Sequence, residues 1–216
     1  MTAPNEQSMS SEYPVRFSIE YPDRMLNRLT TAFRLIVAIP ILILAGTLGG
    51  GAWGAGHRVG SGAAVGAGGL LFLPPLLMIV FRQKYPRWWY DWNCELLRFT
   101  NRIGVYLALM DDRYPSTDEA QAVSLELPYP DAKTGLNRWL PLVKWLLAIP
   151  HYIALFFLFI GAIVAIIVSW FAILFTGRYP RSLFDYLEGV GRWNNRVVAY
   201  AFVLVTDEYP PFQLAP

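Results

Sequence analysis

YPDRMLNRLTTAFRLIVAIP (residues 21–40) and YPDAKTGLNRWLPLVKWLLAIP (residues 129–150) are two versions of one stretch. Both open on Tyr-Pro-Asp, pass through Asn-Arg and one further basic residue, and run into Ala-Ile-Pro at the head of a long apolar segment. A repeated stretch is read first, because missing one misassigns the whole fold. Within each copy, proline stops a strand and the following Asp suits the first turn of a helix. The basic residues fit a headgroup layer, and Ala-Ile-Pro leads into a bilayer.

The surrounding composition agrees. The chain of 216 residues is 55% hydrophobic and 16% charged, against about 25% charged in an ordinary soluble domain. The apolar residues are gathered into a few unbroken runs, which is the pattern of membrane segments. A net charge of +2 is too small to imply a nucleic-acid partner. Cys94 is the single cysteine, so no disulfide forms within the chain, and it reads as a small buried or interfacial side chain. The polar residues 1–11 carry no Lys or Arg. They read as a disordered tail rather than a cleavable signal.

Working outward, residues 13–20 alternate Tyr13, Val15, Phe17 and Ile19 with polar side chains, and residues 122–127 alternate Val123, Leu125 and Leu127. Both predict half-buried strands. Asp23 is the expected start of a short interfacial helix bearing Met25, Leu26, Leu29 and Phe33 on one face. Residues 35–56 and 59–81 contain no Asp, Glu, Lys or Arg, and each is long enough to span a bilayer. His57 and Arg58 mark the turn between them. Residues 145–177 are equally free of such charge, too long for one ordinary span and short for two. The repeat favours two short helices, 145–160 and 162–177, turning near Gly161. Of the 18 Lys and Arg residues, all but Arg58 lie on what would then be one side. The positive-inside rule makes that side cytoplasmic.

The second parts of the repeat also match. Lys84-Tyr85-Pro86-Arg87 answers Arg178-Tyr179-Pro180-Arg181, and Arg98, Asn101, Arg102 and Tyr106 answer Arg192, Asn195, Arg196 and Tyr200. Residues 87–103 form an amphipathic helix, and residues 105–110 and 201–205 read as strands. The fold class is therefore an α-helical integral membrane protein with a small β element. It has four transmembrane helices as two hairpins and an internal pseudo-twofold repeat. Its units are a first repeat, 12–115, a linker, 116–121, and a second repeat, 122–212.

RLIVAIP (residues 34–40), WLLAIPH (residues 145–151) and GRWNNRVVAYAFVLVTDEYPPF (residues 191–212) resemble a family of bacterial membrane proteins known as domain of unknown function 4389. The resemblance extends over residues 13–212, one family unit per half. It implies a bacterial integral membrane protein and brings no catalytic residue, substrate or cofactor with it.

Three sets of residues stand out. Arg28, Arg102, Arg138 and Arg196 each follow an asparagine beside an expected interface. They are candidates for lipid headgroups, because arginine pairs with phosphate in a bidentate way. The alternative is structural: Asn caps a helix end while Arg pairs with a nearby carboxylate. Gly46, Gly50, Gly54, Gly62 and Gly66 recur at a spacing that lets helices approach closely, within one hairpin or between copies. Trp88, Trp89 and Trp92 beside basic residues suit interfacial anchors. They equally suit packing on the protein's own strands. His151 has no intramembrane carboxylate partner, and its counterpart in the first copy is Ile41. No catalytic, metal or cofactor motif emerges. The expectation is a non-enzymatic scaffold or accessory subunit in the bacterial cytoplasmic membrane, multi-pass, with both termini cytoplasmic. Its partners are lipids and other membrane subunits or a second copy. A transporter or channel module and an anionic-lipid-binding protein are the alternatives.

Overall fold

The computed structural model describes residues 13–48, 66–117, 119 and 121–216. Two strands tie the halves of the chain together. β1 (Arg16–Ile19) and β2 (Val123–Glu126) pair antiparallel, with Phe17 opposite Leu125 and Ile19 opposite Val123. Their alternation is the one read from sequence: Val15, Phe17, Ile19 and Leu125 are buried. So short a ladder is not stable alone. One helix braces each strand. Arg98 Nε donates to the Leu125 carbonyl and Arg192 Nε to the Phe17 carbonyl.

The helices in order are α1 (Arg28–Ala32), α2 (Arg34–Val37), α3 (Ile39–Leu48), α4 (Gly66–Arg82), α5 (Arg87–Leu107), α6 (Pro141–Leu147), α7 (Ile149–Thr176) and α8 (Arg181–Val198). The first starts at Arg28 and not at Asp23. Asn27 wins because its side chain accepts from the Leu29 and Thr30 amides, satisfying two of the free donors at the helix start. Asn137 does the same for the Trp139 amide.

Two expectations are corrected. Residues 145–160 and 162–177 do not form a hairpin. From Ile149 to Thr176 the chain is one helix of 28 residues, about 42 Å long at ~1.5 Å per residue. A glycine within a helix costs only about 1 kcal/mol against alanine, and Gly161 has a packing use. A Cβ there would lie 2.5 Å from the Tyr186 hydroxyl, which donates to the Leu158 carbonyl. The expected strands at 105–110 and 201–205 are likewise absent. α5 continues to Leu107, and α8 runs on into a π-helical turn, Ala199–Val203. Both runs are apolar on successive residues, so no period of two holds them as strands. Each is stopped by a leucine in the left-handed region, Leu109 (φ 65°) and Leu204 (φ 60°). Residues 49–65, which hold the expected turn between residues 35–56 and 59–81, lie outside the described residues. Among the described residues one helix, α7, is long and apolar enough to cross a membrane.

Tyrosines stitch the two halves by bonds that run in pairs. The Tyr85 hydroxyl donates to the Val203 carbonyl and the Tyr179 hydroxyl to that of Ala108. Tyr21 donates to the Tyr179 carbonyl and Tyr129 to that of Tyr85. The side-chain amides of Asn101 and Asn195 exchange two hydrogen bonds of 2.8 Å.

Helix α7 has two faces along its whole length. His151, Leu155, Ala162, Ala165, Ser169 and Ile173 are buried, at the spacing of one helical stripe. Ile153, Phe156, Ile160, Ile163, Ile167 and Phe171 are exposed on the other side. The buried face packs chiefly on α8, and α1 also touches α7. The pairing with α8 is antiparallel: Tyr186 meets Leu158, and Trp193 meets His151.

Candidate functional site

Two buried cations occupy corresponding places in the repeated stretch, and neither stood out in the sequence. Lys144 on α6 is fully buried, Arg34 on α2 is 2% exposed. Each reaches the backbone just after a left-handed leucine. Lys144 Nζ donates to the Thr206 carbonyl at 2.6 Å, and Arg34 Nη1 donates to the Asp111 carbonyl at 2.7 Å. Each also faces a tyrosine ring, Tyr200 at 5.0 Å and Tyr106 at 4.2 Å. Such rings attract cations electrostatically.

Their neutralisation differs. Lys144 has a carboxylate partner, Asp207, at 2.7 Å. The matching carboxylates beside Arg34 are bound elsewhere. Asp111 pairs with Arg113 at 2.9 Å and with Arg24, and Asp112 pairs with Arg24 and accepts from the Asn27 amide. Nε and Nη2 of Arg34 are buried without a hydrogen-bond partner. Burial draws both cations below their ordinary pKa, opposed by Asp207 at Lys144 and by Tyr106, Asp112 and Asp111 at Arg34.

A cavity of 280 Å³ adjoins Arg34. Thr31, Arg34, Leu35, Leu107, Ile167 and Trp170 help line it. Trp170 Nε1 donates to the Thr31 carbonyl, which fixes the α1–α7 wall. The Thr31 hydroxyl is also buried without a partner. The cavity thus combines apolar walls with two unsatisfied polar side chains. Buried polar groups are usually paired, so such exceptions call for an explanation.

The residues singled out in the sequence are scattered. Arg28 and Arg138 are exposed, and Arg138 Nε donates to the Val80 carbonyl. Arg102 and Arg196 are buried. Arg102 donates to the Ser116 and Thr117 carbonyls and Arg196 to that of Ala215. These bonds tie the two guanidinium groups to neighbouring chain segments, while Arg102 Nε and Arg196 Nε are buried without a hydrogen-bond partner. Trp88 is 67% exposed and Trp92 is exposed, while Trp89 is half-buried against the Trp88 ring. Gly46 lies in α3 and Gly66 opens α4. Gly50, Gly54 and Gly62 fall outside the described residues. His151 is buried, accepts from Trp193 Nε1 at 3.0 Å and stacks on Phe212. Cys94 is buried, and burial pushes its thiol above the ordinary value.

The arrangement is that of a mostly helical protein with a helix able to cross a membrane and a wide apolar surface. Residues 139–213 match the model of a family described as "Domain of unknown function (DUF4389)". That segment contains α6, α7, α8 and the Lys144–Asp207 pair. No curated protein and no solved structure matches the chain.

Proposed function

We infer that the protein is a non-enzymatic scaffold or accessory subunit embedded in the bacterial cytoplasmic membrane and built from two fused copies of one unit. The observation that carries the membrane reading is the exposed stripe of α7, apolar along a helix of 28 residues. Burying one large apolar side chain is worth about 1.5–3 kcal/mol, so a stripe of this length strongly favours lipid or a partner over water. Duplication is supported by the pairs described above. The strand register centres on Phe17 and Leu125, which stand at matching distances before the two Tyr-Pro-Asp motifs.

The two faces of α7 favour a helix lying in one leaflet over a single crossing of the bilayer. A crossing α7 would carry along α8, which packs on it and bears Arg181, Asp185, Glu188 and Arg192. Both ends of α7 also adjoin basic residues, Arg138 and Lys144 before it and Arg178 and Arg181 after it. Under the positive-inside rule that pattern supports a cytoplasmic side for both ends.

The test uses single cysteines in a Cys94→Ser background, one at Lys133 and one at Arg178, with a membrane-impermeant maleimide applied to vesicles of known orientation. Labelling of both from the same side supports the in-plane helix, and labelling from opposite sides rejects it. Copurification after mild detergent extraction tests the scaffold role. A strictly monomeric protein with no retained partner would remove it.

A further inference from the structure

We propose that the cavity beside Arg34 binds the headgroup of one anionic membrane lipid, with Arg34 and Thr31 as its polar contacts. The proposal rests on the membrane reading above. Three observations carry it.

The first is a pair of unpartnered N–H groups. Arg34 is 2% exposed, its Nη1 donates to the Asp111 carbonyl, and its guanidinium lies over the Tyr106 ring. Its Nε and Nη2 have no partner. These two atoms form one edge of the guanidinium, with parallel N–H groups that match two oxygens of a phosphate or carboxylate. The corresponding Lys144 already has Asp207. Here the nearby carboxylates of Asp111 and Asp112 are engaged by Arg24 and Arg113. A zwitterionic headgroup would bring a second cation to a cavity whose lining offers no free carboxylate.

The second is the Thr31 hydroxyl, buried and unpartnered on the same wall. It can donate to a further oxygen of the headgroup.

The third is the shape. At 280 Å³ the cavity falls just below the ~300–1,000 Å³ of sites that engulf whole small molecules. It suits a headgroup whose chains stay outside. Leu35 (72% exposed) and Ile167 stand at its edge, and Ile167 belongs to the exposed stripe of α7. Acyl chains would continue along that stripe while the phosphate reaches Arg34.

The test is native mass spectrometry of the full chain, reconstituted in vesicles of phosphatidylglycerol and phosphatidylcholine and released in neutral detergent. The wild type should retain one phosphatidylglycerol per chain. It should still do so after a wash at about 1 M salt, where exposed charges are screened beyond about 3 Å. Arg34→Met should weaken retention about ten- to a hundredfold, the range expected for losing a hydrogen bond to a charged group. Ile167→Trp, which fills the cavity from an exposed position and leaves Arg34 in place, should do the same. Lys133→Gln, on the exposed surface, should not. Equal retention by the wild type and Ile167→Trp overturns the proposal. So does displacement of the lipid by inorganic phosphate, which would mark a site for small anions. Vesicle-bound protein that retains no lipid refutes this site alone, whereas protein that fails to associate with vesicles refutes the membrane reading as well.

Discussion

Replacing Asp207 with alanine strands a buried ammonium, and the structure sets the size of the effect. Lys144 Nζ has two polar partners, the Asp207 carboxylate at 2.7 Å and the Thr206 carbonyl at 2.6 Å. Lys144 is fully buried, while the Asp207 side chain is 23% exposed. Breaking a buried pair by removing one member costs about 3–5 kcal/mol. Water can reach the Asp207 side of the pair, so the lower end applies, about 3 kcal/mol. For a chain of this length that lowers the thermal midpoint by about 6–12 °C. Lys144→Met removes the charge itself. Asp207 then keeps its hydrogen bond from the Asn137 amide and its access to water, so the loss should be nearer 1 kcal/mol, in line with apolar replacement of buried pairs. The double variant should resemble Lys144→Met, leaving a coupling of about 3 kcal/mol. Denaturation of the four proteins in one detergent measures this. If Asp207→Ala costs no more than Lys144→Met, or the two effects simply add, the ammonium is not held as described.

Other outcomes follow from the same geometry. Asn101→Ala and Asn195→Ala should each destabilise by about 1–3 kcal/mol by leaving the other amide's oxygen without its donor, while that amide's NH2 keeps its bond to the Leu97 or Gly191 carbonyl. Because the two share one pair of bonds, the double variant should lose less than the sum, and additive losses would contradict the exchange seen here. Gly161→Leu should disrupt α7–α8 packing by pushing the Tyr186 hydroxyl off the Leu158 carbonyl. Adding Tyr186→Phe should restore part of the midpoint, and no recovery would place the strain elsewhere. Burial raises Tyr179 from 10.0 to about 12. The folded state therefore keeps that proton after the unfolded chain has lost it. The resulting stability is full below pH 10 and is lost as pH rises toward 12. Tyr179→Phe should flatten that loss in alkaline unfolding curves.

The strands and the amphipathic helix α5 were legible because their periods are unambiguous: two for Val15, Phe17 and Ile19, and near 3.6 for residues 87–103. Capping by Asn27 and Asn137 was open to the sequence only as one of two readings of the Asn-Arg pairs, and Asp23 drew the expected helix start away from Asn27. The end of α8 was not. Ala-Tyr-Ala-Phe-Val suits a strand or a buried helix equally, and tertiary packing decided for the helix. Gly161 misled for a different reason. Its role depends on Tyr186, a residue distant in sequence, and no local signal announces such a contact. Arg34 was hidden among three arginines of the same helix stretch. No local property of its own segment distinguishes it from Arg24 and Arg28, both of which are exposed. Only the fold separates the buried one. Its matched position with Lys144 was the available clue, since both are the basic residue that follows Asn-Arg in the repeated stretch.

The reciprocal tyrosine bonds bear on what happens if the chain is cut between its halves. The hydroxyl of Tyr85 has its acceptor in the second half and that of Tyr179 has its acceptor in the first, while among the described residues β1 and β2 pair only with each other. Neither fragment could close its own hydrogen-bond account. Severed within residues 116–121, the pieces should recover one another from solution as complementing fragments.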